Sequence, residues 1–201
     1  MTTSKGSRPI STSRTRSSRS SSRSGTLILG VDPGSRATGY GLLHLEGSRI
    51  RYERSGTITP KNSLSFPDRL LAVHDALSGL LEEMDPDEVA VESAFVRKSA
   101  LAALQIGHVR GVVLVAARRS GALIFEYTAP EVKLAVARQG AAAKQQVMFM
   151  VRRLLPGVDR VTEDEADALA VALCHAHRAP ARALSIPPAR IHKLPRPRSD
   201  R

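Results

Sequence analysis

Leu27-Ile-Leu-Gly-Val-Asp32, followed at once by Pro33-Gly34, is the stretch on which the reading of the chain turns. An apolar run this short, closed by a carboxylate and a Pro-Gly turn, predicts a buried strand that delivers Asp32 to the edge of a sheet. Downstream, Tyr40 to Leu45 and Arg51 to Thr59 read as two further strands, with turns at Gly39 and near Gly47. Three strands in succession predict an antiparallel meander. Leu64 to Met84 carries Leu70, Leu71, Val73, Leu77, Leu80 and Leu81 at helical spacing and stops at Asp85-Pro86. Glu88-Val-Ala-Val-Glu92 is another short strand that ends in an acid. A long apolar-faced helix over 99–119, a strand over 122–127, a short helix opened by Pro130, and helices over Ala143 to Leu155 and Glu163 to His177 complete the series. A meander followed by alternating helices and strands predicts an α/β domain, a mixed sheet covered by helices on both faces.

The chain has 201 residues, enough for one domain and tails. Residues 1–26 hold six Lys/Arg and no acid, and 178–201 hold seven against Asp200 alone. These tails account for the excess of a formal charge of +11, because 27–177 has 17 bases and 18 acids. The first tail is Ser- and Arg-rich, too polar to offset its ordering entropy, and reads as a disordered basic arm. Its composition also fits a transit peptide, although it has no apolar stripe. The second, broken by Pro180, Pro187, Pro188, Pro195 and Pro197, reads as a flexible basic tail. The folded body is then 27–177. Within it, 89–153 has 10 bases and 3 acids, flanked by acidic segments, which suits a polyanionic partner. The single Cys174 forms no internal disulfide, so a reducing cytoplasm is expected. Apolar runs such as Gly111 to Ala117 are interrupted by His108, Arg110 and Arg118 short of the roughly 20 residues a membrane span needs. A soluble protein with no membrane partner follows.

Asp32 and Glu92 both end apolar strands, where sheet edges bind ligands. Two such acids brought together would repel unless a cation balanced them, and a hard divalent ion, most naturally Mg²⁺, takes oxygen ligands. Each acid taken singly equally fits the start of a solvated loop. Thr162-Glu-Asp-Glu-Ala-Asp-Ala-Leu169 supplies a third element: Thr162 and Glu165 have capping-box spacing, and Asp164 and Asp167, three apart, share one helical face. Acids in a first helical turn also simply complement the macrodipole. The order strand acid, strand acid, helix acid pair is more specific than any of its parts.

Gly30-Val-Asp-Pro-Gly-Ser-Arg-Ala-Thr-Gly-Tyr-Gly41 resembles the opening signature of the RuvC Holliday-junction resolvases, a family of the ribonuclease H-like superfamily. Val91-Glu92 with Phe95, Leu104-Gln-Ile-Gly-His-Val-Arg-Gly111, Tyr127 with Val132-Lys133, Ala143-Lys-Gln-Gln-Val147 and Ala166-Asp-Ala-Leu-Ala-Val-Ala172 follow in that family's order. The resemblance covers about residues 27–177. It implies a ribonuclease H-like mixed five-stranded sheet and a structure-specific endonuclease that resolves four-way DNA junctions by paired symmetric nicks. The family's catalytic metal-binding acids fall on Asp32, Glu92, Asp164 and Asp167, with His at the place of Asp164 in some members. Two Mg²⁺ ions are implied, with Mn²⁺ as a substitute, one activating a water and the other stabilising the leaving oxygen. The resemblance also implies a DNA-contacting role for Phe95, with Lys133 and Lys144 on phosphates, a homodimer, and cooperation with RuvA and RuvB.

Read without the family, Phe95 is a buried loop anchor and each lysine is solvated. Arg97 and Lys98 are further DNA-binding candidates; Arg110, Arg118, Arg119 and Arg138 are weaker ones. The helix over 99–119, rich in small residues, fits packing against a partner or against its own sheet. His175, eight residues and about 12 Å beyond Asp167 along a helix, reads as an ordinary packed or capping histidine. Competing readings are another ribonuclease H-like nuclease, a non-catalytic junction-binding protein, and an actin-like ATP-binding protein. The last lacks its second Gly-rich phosphate loop here.

Overall fold

The structure, a computed structural model, describes residues 24–93, 100–158 and 160–179; the stretch before Ser24 and the Pro-rich tail beyond Ala179 lie outside them. Strands β1 (Thr26–Pro33), β2 (Thr38–Glu46) and β3 (Arg49–Ile58) form the expected antiparallel meander. Strands β4 (Glu88–Ser93) and β5 (Leu123–Thr128) continue the sheet in parallel on the other side of β1, in the order β3-β2-β1-β4-β5. Helices α1 (Phe66–Met84) and α2 (Ala100–Ser120) precede and follow β4; α3 (Ala129–Ala137), α4 (Lys144–Leu154) and α5 (Glu163–His177) come last.

The alternation of side chains along β1 sorts the helices into two layers. Leu27, Leu29 and Val31 point to one face and join Val73, Leu77 and Leu81 of α1 and Val109, Val113 and Ala117 of α2. Ile28 points to the other, with Leu43 and Ala90, and meets Val132, Val147, Val151, Leu169 and Leu173 of α3, α4 and α5. Asp32 and Glu92 have the same parity as Ile28 and Ala90, so both belong to the α3–α5 face.

Helix α5 is buried from Ala168 to Ala176 and lies directly on the meander. A Cβ added at Gly39 would come within 2.0 Å of the Asp164 carbonyl oxygen, and one at Gly30 within 2.1 Å of that of Ala168. No side chain fits at either position. The glycines that punctuate the opening motif are thus the seat on which the acid-bearing helix rests.

One expectation needs correction. Helix α2, at 21 residues and a mean hydropathy of 1.6 over its most apolar window, is long and apolar enough to cross a membrane. The interruptions at His108 and Arg110 do not prevent this, because the apolar residues on either side continue one helix. Here that helix packs on α1 and on the sheet, and Arg110 forms an ion pair with Glu126 of β5.

Candidate active site

Val31 of β1 pairs with Val91 of β4, and each strand then delivers its acid at the next residue. Parallel neighbours lie about 4.8 Å apart, so Asp32 and Glu92 leave the sheet side by side. The first turn of α5 comes down opposite them. Its Thr162 hydroxyl accepts from the Glu165 N–H at 3.2 Å, capping the helix. The reciprocal half of the expected capping box is not the one formed: the Glu165 carboxylate accepts from the Ser55 hydroxyl at 2.6 Å and ties α5 to β3 instead. Sequence spacing could not show this, since Ser55 is 110 residues away. The capping box forms at α3, where the Glu131 carboxylate accepts from the Thr128 N–H at 2.8 Å.

Asp32, Glu92, Asp164 and Asp167 all line one cleft of about 630 Å³, together with Lys133 of α3 and Lys144 of α4. The Lys144 ammonium donates to Asp167 Oδ2 at 3.0 Å. Among the described residues, no three Asp, Glu, His or Cys side chains are arranged to grip one ion. The acids share a cleft rather than a point. Their mutual repulsion is strong nonetheless. Asp32 is pushed up to about 7, first by burial and then by Glu92 and Asp167, with Lys144 opposing and Asp164 adding to the rise. Burial and Asp167 likewise raise Glu92, against Lys144 and Lys133. The contact with Asp167 raises Lys144 in turn. A site in which burial and neighbouring acids raise both Asp32 and Glu92 is short of positive charge, and all four acids offer oxygen donors.

The turn after Asp32 contributes Ser35 and Arg36 to the cleft, and α2 contributes Ile106. Sequence reading passed over all three. Arg36 had a signal, a cation four residues beyond a strand-end acid; Ile106 had none, since only packing brings α2 there. Arg69 of α1 donates to the Ser35 carbonyl at 2.5 Å and holds the turn in place. Phe95, Arg97 and Lys98 lie outside the described residues. Among the weaker candidates, Arg110 is committed to Glu126, and Arg119 lines a groove with Ser78 and Glu82 away from the cleft. Arg138 ends α3 in a left-handed conformation.

A sheet of this order, with acids at the ends of its central strands facing an acid pair on the last helix, defines a nuclease of the ribonuclease H-like class. The family model of crossover junction endodeoxyribonuclease RuvC matches residues 28–175. The RuvC of Caulobacter vibrioides is 47% identical over 152 residues, which cover 76% of this chain and 90% of that relative. That of Syntrophotalea carbinolica is 48% identical over 150 residues, 75% and 93% of the two chains. Among solved structures, Thermus thermophilus RuvC in complex with Holliday junction substrate superposes with a TM-score of 0.71 at 31% identity, covering 77% of this chain and 94% of that one. The yeast mitochondrial Holliday junction resolvase shares the fold, with a TM-score of 0.57 at 14% identity over 76% of this chain and 78% of that one. The chain belongs to the RuvC family of crossover junction endodeoxyribonucleases.

Proposed function

We propose that this protein resolves four-way DNA junctions by paired, symmetric hydrolytic nicks, with Asp32, Glu92, Asp164 and Asp167 as the ligands of its divalent cations. The observation that carries the reading is the convergence of these acids from two strand ends and one helix turn upon a cleft rimmed by lysines. The residues fit a hard divalent ion, because a cation would relieve the repulsion that raises Asp32 and Glu92. Two Mg²⁺ ions, with Mn²⁺ as substitute, would supply the Lewis acidity for generating a nucleophile from water and stabilising the departing oxygen.

The chain's own residues do the rest. Lys133 and Lys144 draw the phosphate backbone into the cleft, and the Lys144 ammonium also orients the Asp167 carboxylate. The buried floor, Val132 and Val147 among it, limits the water that competes for the scissile phosphate. Phe95, Arg97 and Lys98 follow the Glu92 strand in sequence and are assigned as DNA-binding residues, Phe95 to a base near the cut.

A four-way junction offers two symmetry-related strands, so the working unit is a twofold dimer with one cleft per subunit. The outer face of α2 supports this assignment. Leu101, Leu104 and Val115 are exposed, and the groove beside them is floored by Gly107 and Gly111, whose Cβ positions meet nothing within 4 Å. A second copy of this helix pair is the occupant that matches the face by symmetry. Family membership adds cooperation with RuvA and RuvB as proposed partners and the cytoplasm as the proposed compartment.

The test is cleavage of synthetic four-way, Y-shaped and linear DNA with Mg²⁺. Symmetric nicking of the four-way substrate is expected, with Asp32→Asn binding it but leaving it intact. Equal cutting of linear duplex would overturn the resolvase assignment in favour of another ribonuclease H-like nuclease. Intact junctions at every Mg²⁺ concentration would leave only a binding protein.

A further inference from the structure

His175 is fully buried near the end of α5, and both of its ring nitrogens are engaged. Nδ1 lies 2.6 Å from the Tyr127 hydroxyl on β5, and Nε2 lies 2.6 Å from Glu88 Oε2 at the start of β4. The Phe125 ring packs against it at 4.4 Å between centroids. With Glu88 a carboxylate, which only accepts, Nε2 carries a proton and donates; Nδ1 accepts from the Tyr127 hydroxyl in the neutral ring and donates to it in the charged one, so both contacts hold in either state.

The clasp joins the same two elements that carry the acids. Glu88 precedes Glu92 by four strand residues, about 13 Å. His175 follows Asp167 by eight helical residues, about 12 Å. Glu92 and Asp167 meet in the cleft, and Glu88 and His175 meet at the other end, so the strand and the helix run in opposite directions with matched spans.

Between these ends α5 rests on the neighbouring strands β1 and β2 through apolar contacts, Ala168 and Ala172 over Gly30 and Leu169 over Gly41. Such contacts are non-directional, and the hydrogen bonds of the clasp add direction to them. At the cleft end, the acids repel one another. Among the described residues, the side-chain hydrogen bonds at that end tie α5 to β3 through Ser55 and Glu165 and to α4 through Lys144 and Asp167, rather than to β4.

We propose that His175 is a positioning residue, clasped between Glu88 and Tyr127 so as to set the register of α5 on β4 and thereby the separation of the Glu92 and Asp167 carboxylates. The inference rests on the active-site reading above. Residues that orient metal ligands from behind typically alter metal affinity or activity by about 10–100-fold when replaced.

The experiment compares the wild type with His175→Phe, which keeps a ring but no nitrogens, and with Tyr127→Phe, which deletes a single bond. His175→Gln, able to offer one donor and one acceptor, is the rescue variant. Mn²⁺ binding to the DNA-free protein is measured by calorimetry, together with the single-turnover cleavage rate, junction Kd without metal, and Tm. For His175→Phe we expect Mn²⁺ affinity and cleavage rate to fall by roughly tenfold or more, with junction Kd unchanged. Tyr127→Phe should shift both in the same direction by less, and His175→Gln should recover part of the loss. If His175→Phe does not fold, Tyr127→Phe decides. A folded variant with lowered Tm but wild-type Mn²⁺ affinity and rate would overturn the proposal and leave the clasp a purely structural bond. A wild type that neither binds Mn²⁺ nor cuts would instead overturn the active-site reading itself.

Discussion

Asp32 holds its proton near neutrality because it is half-buried and faces Glu92 and Asp167, and this has a thermodynamic consequence in the absence of metal. Its folded value of about 7 exceeds the ordinary 3.8, so between those limits the folded state binds more protons than the unfolded one. The stabilising contribution is complete below the ordinary value and is lost as pH rises through about 7. We therefore expect metal-free protein to melt progressively lower between about pH 4 and 7, and Asp32→Asn to flatten that slope and to melt higher than wild type at about pH 8. Calorimetry across this range checks it; parallel slopes would remove the repulsion argument. The same variant should lose about 10³-fold or more in cleavage rate, the scale on which removal of one charge-stabilising group acts. The acids were legible in sequence because each ends an apolar strand or opens a helix. The Lys144 contact with Asp167 was not, because a lysine at a helix start has the same local pattern whether it meets solvent or a carboxylate. Nor was the bonding of His175, whose partners lie 48 and 87 residues away in sequence.

Helix α5 shows what periodicity can and cannot tell. Its extent follows from Thr162 at one end and the small apolar run that follows, and every strand and helix of the described body was foreseen by the same reasoning. The reason for its closeness to the sheet sits elsewhere, in Gly30 and Gly39, and only the packed structure connects them. Gly39→Ala must push the Asp164 carbonyl away from a contact of 2.0 Å. Overpacking of this kind costs about 1–3 kcal/mol, and a displacement of about an ångström in a catalytic group can cost 10²-fold in rate. We expect both losses in Gly39→Ala, measured by denaturant unfolding and single-turnover cleavage. Wild-type activity at reduced stability would mean that α5 tilts without moving its acids. Helix α2 was ambiguous for a different reason. Its apolar residues encircle it, so no stripe in the sequence distinguishes the side that covers the sheet from the side left open.

For the molecule as a whole, the sheet separates two tasks. The α1–α2 layer carries the open groove, and the α3–α5 layer carries the cleft. Leu104, 61% exposed, belongs to the first layer and to no core, so Leu104→Glu should leave the monomer folded. We expect that variant to sediment as a monomer and to produce unpaired nicks in a junction; a dimer of unchanged stability would place the subunit contact elsewhere. The charge reading behaves differently at this scale. Most of the excess positive charge lies in the tails, while the nearly neutral body places Arg36, Lys133 and Lys144 at the cleft. Net charge therefore pointed to a polyanionic partner through residues that mostly lie outside the described ones. The strand that divides the layers also limits how the gene can change. One codon gained or lost inside β1 would rotate Asp32 to the wrong side of the partition, whereas the β2–β3 turn around Gly47 can absorb such an event, so lineages of this protein should vary in length at that turn and never along β1.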